Sequence, residues 1–195
     1  THCCIEDIGI LRSIPNLQIV SPADSFETIK ALGAAVKSEK STYIRLTGTA
    51  NNPIVYSKDY DFEIGKSIKL RSGEDVTLFC SGAMVSTCLE VAKKLEKSNI
   101  SSSVINMHTI KPIDEAAIKD ASEKSKLIVS VEEHNVIGGL GSSISEQLVK
   151  FKNRSKMLIM GIDDKYLKGG SYTYLKNKYE LSLDKIIEKI KINIG

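Results

Sequence analysis

The most constraining feature of the sequence is a regular alternation of short apolar runs and amphipathic segments between residues 76 and 161. With short connections between them, such segments predict a mostly parallel, doubly wound α/β sheet that helices cover on both faces. The predicted elements, in chain order, are strand Val76–Cys80, helix Met84–Glu96, strand Ser103–Met107, helix Asp114–Ser122, strand Leu127–Glu132, helix Ser142–Phe151 and strand Met157–Gly161. The tail, residues 171–194, is predicted to be helical because apolar residues recur there at helical spacing.

A strand, a helix and a second strand are predicted before this alternating region, in the order that builds parallel sheets. They are predicted at residues 17–22, from Asp24 or Ser25 to about Lys37, and at residues 42–46. Asp24 or Ser25 is a suitable N-cap for the helix. The side chains predicted to form its buried face are Ile29, Leu32, Ala35 and Val36.

The two parts are separated by an aperiodic stretch, residues 47–61, which is rich in Asn, Pro, Tyr and Lys. This composition is typical of a connection that crosses a surface. We therefore predict a first unit with its linker at residues 1–58 and a second domain at residues 59–195. Residues 62–75 alternate apolar and polar side chains, which indicates a β-arm or edge strand.

Composition excludes several classes of function. The chain has 195 residues, 42% of them hydrophobic, and its 27 basic and 24 acidic side chains leave a net charge of +3. This near balance of charge does not indicate the strongly basic surface that binds nucleic acid. No apolar run approaches the roughly 20 residues that span a bilayer. The N-terminus also lacks the basic, apolar and small-residue segments that follow one another in a signal peptide, so we expect a cytoplasmic protein. Its cysteines lack metal or disulfide spacing and are expected to be small buried hydrophobes: Cys3, Cys4, Cys80 and Cys88.

Three loops after predicted strands are candidate sites, because open parallel sheets bind ligands beyond the carboxyl ends of their strands. Residues 81–83, Ser-Gly-Ala, could bring a helix N-terminus to a phosphate, although an ordinary turn explains Gly82 better. Residues 106–114 include His108 and Lys111, which are as consistent with the surface as with a site. The histidines, His2, His108 and His134, lack helical spacing, which argues against a His-rich metal centre.

The third loop, Glu132-Glu133-His134 followed by Gly138, Gly139 and Gly141, could supply an acid and a base. Glycines also permit a tight turn and close packing, and carboxylates near a helix start satisfy its dipole. We therefore rank a structural turn or a subunit contact ahead of catalysis there.

Two further residues carry suitable chemistry. His2 could shuttle protons, because imidazole titrates closest to neutrality. Arg45 lies at the predicted carboxyl end of a strand, where a guanidinium could bind a phosphate or carboxylate. A surface histidine and an arginine extending from a sheet are the simpler alternatives.

Several strings, in order, resemble one family. Residues 1–24, THCCIEDIGILRSIPNLQIVSPAD, resemble the stretch of transketolase-like enzymes that begins at the histidine of their Gly-Pro-Thr-His motif. The other matching strings are YIRL at residues 43–46, EIGKSIKLRSGEDVTLFCSG at 63–82, VINMHTIKPID at 104–114 and VEEHNVIGGLGSSISE at 131–146. The chain thus resembles the C-terminal subunit of split transketolases, with a partial pyrimidine-binding domain ahead of a transketolase C-terminal domain.

The resemblance implies transfer of a two-carbon ketol unit between sugar phosphates, as in pentose phosphate chemistry, with thiamine diphosphate and magnesium in the complete enzyme. It implies a catalytic role for His2 near the thiazolium and substrate-phosphate binding by Arg45. It also implies an N-terminal transketolase subunit, or N-terminal domains, as partner, and a homodimer formed through the C-terminal domain.

The family's coenzyme-contacting glutamate and its Gly-Asp-Gly metal segment are not in the sequence, so we expect the chain alone to bind no coenzyme and to be inactive. The glutamate is expected upstream of Thr1. The alternatives are a β-subunit of a 2-oxo-acid dehydrogenase, a deoxyxylulose-phosphate synthase section, and a non-catalytic assembly module.

Overall fold

A computed structural model describes residues 4–46, 52–152 and 154–194. Its helices and strands, in chain order, are α1 Asp7–Arg12, β1 Gln18–Val20, α2 Ser25–Lys37, β2 Thr42–Ile44, β3 Ile68–Arg71, β4 Val76–Cys80, α3 Met84–Glu96, β5 Ser102–Asn106, β6 Thr109–Lys111, α4 Glu115–Lys124, β7 Leu127–Asn135, α5 Leu140–Leu148, β8 Lys156–Ile162, α6 Tyr172–Lys178 and α7 Leu183–Asn193.

The larger sheet has five strands in the order β3-β5-β4-β7-β8. Strands β5, β4, β7 and β8 are parallel, and β3 pairs antiparallel with β5 at one edge. This arrangement confirms the predicted, mostly parallel α/β sheet and the edge strand after the linker. Strand β7 extends three residues beyond the predicted end at Glu132, so the strand itself includes Glu133, His134 and Asn135.

Helices cover both faces of this sheet. Side chains of β4 alternate between the two faces, as a strand requires: Leu78 packs in the core with α3 and α7, whereas Phe79 packs with α4 and α5. Both cores are continuous and fully buried at their centres, which confirms the doubly wound arrangement.

The smaller sheet has three strands in the order β2-β1-β6. Strand β1 pairs parallel with β2, in the register Gln18 with Thr42 and Val20 with Ile44, and antiparallel with β6. Because β6 follows β5 in the chain, this small sheet joins the first unit to the second. Neither β6 nor α1 was predicted, since elements of three and six residues are too short to show periodicity.

The predicted buried face of α2 is wrong. Ile29, Leu32 and Val36 are 72%, 57% and 78% exposed, whereas Glu27 and Ala31 are the buried residues of the helix. Ala35, the fourth residue of the predicted face, is half-buried. The side of α2 that carries Glu27 faces the linker and β5, through Tyr60 and Asn106, whereas the apolar stripe of the helix is largely exposed.

The helical prediction for the tail is confirmed, with a break: α6 ends at Lys178 and α7 begins at Leu183. Among the described residues, no helix is both long enough and apolar enough to cross a membrane.

Candidate functional site

The candidate site lies where residues 4–12 meet the carboxyl end of β7. Strands β4 and β7 are neighbours whose following helices, α3 and α5, pack on opposite faces, and open α/β sheets usually bind ligands in such a crevice. Here the chain itself supplies contacts at both strand ends. The Asn135 N–H donates to the Ile5 carbonyl at 2.8 Å, and the Gly82 N–H donates to the Ser21 carbonyl at 3.1 Å.

His134 is fully buried at this junction and has a partner on each ring nitrogen. The Gly9 N–H donates to Nε2 at 3.2 Å, and Nδ1 lies 2.6 Å from the Asn135 carbonyl. These contacts define a neutral tautomer with its proton on Nδ1. Burial lowers the pKa of His134, in agreement with a neutral ring. The geometry is that of a structural histidine that holds α1.

Glu132 caps the N-terminus of α5. Its buried carboxylate accepts hydrogen bonds from the Leu140 N–H at 2.6 Å and the Gly141 N–H at 2.8 Å. A Cβ on Gly139 would lie 2.0 Å from Glu132 Oε2 and 2.7 Å from His134 Nδ1, so this position excludes any side chain. Gly138, at φ +78°, brings the turn against Gly9, where a Cβ would lie 2.8 Å from the Gly9 Cα. The turn therefore has the packing and capping functions that we ranked first.

The pH dependence of stability should report the ionisation of Glu132. Burial raises its pKa from 4.5 to about 7, although two backbone N–H groups and nearby arginines lower it. Between these two values the native state binds a proton that the unfolded state has released. The free energy of unfolding should therefore fall as the pH rises through this window, by up to about 1.4 kcal/mol per pH unit.

The measurement is urea unfolding at several pH values, for the wild-type chain and for Glu132→Gln. We expect the variant, which cannot ionise at this position, to lose less stability across the window. Because Glu27 and Glu133 also have raised pKa values, the difference between the two curves isolates Glu132. Parallel curves would show that Glu132 does not titrate there.

Arg45 lies just beyond β2 and connects the first unit to β7. Its Nε binds both carboxylate oxygens of Asp7, at 2.8 and 3.1 Å, and its Nη2 donates to the carbonyls of Cys4 at 3.1 Å and Glu133 at 3.0 Å. Tyr43 also donates to Asp7, at 2.8 Å. Within the described residues, no hydrogen bond of Arg45 involves Nη1. The side chain, 13% exposed, is a cation held beside the mostly buried end of β7.

A second buried polar cluster joins α2, the linker and β5. Glu27 accepts hydrogen bonds from the Ala23 N–H at 2.6 Å, the Tyr60 hydroxyl at 2.7 Å and Asn106 Nδ2 at 2.9 Å. Asp24 caps α2 through the Glu27 N–H at 2.8 Å. Sequence reasoning missed this cluster, although acids three residues apart at a helix start resemble a capping box and could have indicated it.

The other sequence candidates have ordinary structural surroundings. His108 is buried and stacks on Phe62 with ring centroids 4.2 Å apart, and burial lowers its pKa to about 4. Lys111 Nζ donates to the carbonyls of Arg12 and Ile14, at the end of α1. Both residues are tied into the fold, and neither projects freely from the surface.

The cysteines behave differently from one another. Cys80 and Cys88 are buried as predicted, but Cys4 is exposed because it lies at the outer edge of the junction. Cys3 and the predicted catalytic His2 lie outside the described residues. Within residues 4–46, 52–152 and 154–194, no group of three or more potential ligand side chains could hold a metal ion.

The protein thus belongs to the α/β class. A short first unit contacts a second, doubly wound domain at the carboxyl ends of β4 and β7, whose following helices pack on opposite faces of the sheet. Residues 65–186 match the model of the transketolase C-terminal domain, and residues 1–52 match that of the transketolase pyrimidine-binding domain. The chain belongs to the transketolase family. The predicted boundary after residue 58 falls between the two matched ranges and stays a prediction.

Known relatives agree with this assignment. The chain is 33% identical over 192 residues to a protein from Methanocaldococcus jannaschii described as a transketolase C-terminal section, covering 97% of this chain and 60% of the relative. It is 33% identical to 1-deoxy-D-xylulose-5-phosphate synthase of Caldanaerobacter subterraneus, covering 97% of this chain and 30% of the synthase.

A solved structure has the same fold. It is described as a split-gene transketolase in the form of an inactive β4 tetramer. The two structures superpose with a TM-score of 0.91 at 34% identity, over 99% of this chain and 62% of that one. The chain thus spans less than two thirds of the length of these relatives.

Proposed function

We propose that this chain supplies the C-terminal section of a thiamine-diphosphate-dependent transketolase, which transfers a two-carbon ketol unit between sugar phosphates. The observation that carries the proposal is that residues 1–52 and 65–186 match the two family models, in a chain that covers 60% of a relative described as a C-terminal section. The proposed partner is an N-terminal transketolase section, and a homodimer through the second domain is part of the proposal.

The described residues do not fit the coenzyme or its magnesium ion. Diphosphates bind well at helix N-termini with free N–H groups. Here Glu132 accepts from the first N–H groups of α5, Asp24 accepts from α2, and the Gly82 N–H is used by Ser21. We therefore propose that the coenzyme and its magnesium ion are held by the parts that complete the enzyme, which are the segment with the glutamate expected upstream of Thr1 and the N-terminal subunit or domains.

Two residues of this chain have proposed roles in the complete enzyme. His2 is proposed to move protons at the reacting sugar, as the resemblance implies. Arg45 is proposed to bind the substrate phosphate. The guanidinium is held in place by hydrogen bonds from Nε and Nη2. Its Nη1 makes no hydrogen bond to the described residues, and this nitrogen is the one proposed to donate to a phosphate oxygen.

The test is reconstitution with thiamine diphosphate, magnesium, a ketose phosphate and an aldose phosphate. The chain alone should give no turnover, and the complete enzyme, in which the chain is joined to the coenzyme-contacting glutamate expected upstream of Thr1 and combined with the N-terminal section, should carry out ketol transfer. His2→Ala should lower kcat of the complex at least about 100-fold, the scale of acid–base catalysis. Turnover by the chain alone, or no transfer by the complex, would contradict the proposal.

A second candidate activity is that of a deoxyxylulose-phosphate synthase section, which the similarity to the Caldanaerobacter enzyme favours. The product separates the two activities. Formation of 1-deoxy-D-xylulose 5-phosphate would identify the synthase chemistry, whereas transfer of a ketol unit from a ketose phosphate would identify transketolase.

A further inference from the structure

We propose that Glu133, His134 and Asn135, at the end of β7, form a positioning site for the segment Cys4–Gly9, which begins two residues after His2. His134 is the central positioning residue of this site. The inference rests on the proposed function, and it gives the second domain a defined part in catalysis. His134 is not proposed as a catalytic residue, because both of its ring nitrogens are used within the fold.

The backbone of the segment is fixed on both sides of Ile5. The Asn135 N–H donates to the Ile5 carbonyl at 2.8 Å, in the manner of an added strand residue. Immediately before it, the Cys4 carbonyl accepts from Arg45 Nη2 at 3.1 Å, and the same nitrogen donates to the Glu133 carbonyl at 3.0 Å. Arg45 therefore bridges the segment and β7 directly.

The third attachment is the hydrogen bond from the Gly9 N–H to His134 Nε2, 3.2 Å long. The contact from Nδ1 to the Asn135 carbonyl orients the ring, so that Nε2 presents its lone pair to α1. A Cβ on Gly9 would lie 3.1 Å from the Ile137 carbonyl and 3.5 Å from His134 Cε1, which shows how closely α1 approaches the turn. Because His134 is fully buried, water does not readily replace its acceptor.

Chain connectivity links these attachments to the chemistry. His2 is two residues before Cys4 in the sequence, and each residue moves the chain by at most about 3.8 Å. Anchoring Cys4 and Ile5 thus restricts where the imidazole of His2 can lie. Catalytic groups that are displaced by about 1 Å can lose a large part of their effect, so this restriction bears on kcat.

The experiment compares two amide substitutions of His134 in the reconstituted complex. In His134→Gln the side-chain oxygen can reach the position of Nε2 and accept from Gly9. In His134→Asn the shorter amide can replace Nδ1 but cannot reach Gly9. We expect His134→Asn to lower kcat about tenfold, with KM for the sugar phosphates within about twofold, and His134→Gln to keep kcat within about threefold of wild type.

Amide hydrogen exchange of Gly9 in the chain alone is the second readout. Exchange should be faster in His134→Asn and near wild type in His134→Gln, with the amides of α7 as an internal control. Equal kcat values for both variants and the wild type would overturn the positioning role and leave the proposed function intact. Absence of ketol transfer in the wild-type complex would instead contradict the proposed function, and with it the inference.

Discussion

Replacing Glu27 by alanine should lower the free energy of unfolding by about 3 kcal/mol or more, because each of three buried donors would lose its acceptor at a cost of about 1–3 kcal/mol. The side chain is fully buried. Its loss would leave the Ala23 N–H, the Tyr60 hydroxyl and Asn106 Nδ2 without their acceptor, in a place that water does not reach. Urea unfolding followed by circular dichroism measures the change.

Two matched variants control this prediction. Glu27→Gln keeps the volume and one acceptor oxygen, but places an NH2 group among donors, so we expect about half the loss. Glu39→Ala removes an exposed acid just after α2 and should change stability by less than about 0.5 kcal/mol. A Glu27→Ala protein as stable as Glu39→Ala would show that the cluster does not hold the two units together.

Replacing Gly139 by alanine should destabilise the chain by about 3 kcal/mol or more, at the upper end of the costs of overpacking. The new Cβ would lie 2.0 Å from Glu132 Oε2 and 2.7 Å from His134 Nδ1. Neither side chain can move freely, because Glu132 caps α5 and His134 holds Gly9. Thermal unfolding measures the loss of stability, and faster amide exchange at Gly9 should accompany it.

The same substitution at Gly33 is the control. Gly33 lies inside α2, and a Cβ there meets no atom within 4 Å. Gly33→Ala should therefore stabilise the chain by about 0.5–1 kcal/mol through helix propensity. Opposite signs for the two glycines are the expected result, and a Gly139→Ala protein of wild-type stability would refute the packing described for the turn.

These predictions concern features that the sequence identified only in part. The glycine-rich turn after Glu132 was recognised, and its packing function was ranked first, because glycines beside a helix start are a local signal. The partner of His134 was not predictable, because Gly9 is 125 residues away in the chain. Asp7 was likewise missed, since a single carboxylate in a six-residue helix has no pattern that distinguishes it.

Helix α2 shows most clearly the difference between what local sequence predicts and what tertiary contacts decide. A cap at Asp24 or Ser25 and an end near Lys37 were predicted, because capping and helix propensity depend on neighbouring residues, and the helix has its N-cap at Asp24 and ends at Lys37. Its apolar stripe suggested the wrong buried face. The hydrogen bonds from Tyr60 and Asn106, residues 33 and 79 positions away, bury Glu27 instead.

The sequence by itself determined the alternation of strands and helices, the parallel sheet and the family, because periodicity and ordered motifs are properties of adjacent residues. Only the tertiary structure decided which residues meet at the end of β7. There Arg45, predicted as a substrate ligand, binds Asp7 and two carbonyls, and His134, considered as a base, holds Gly9. Such contacts depend on how distant segments pack, and hydrogen bonds of this kind leave no periodic trace in the chain.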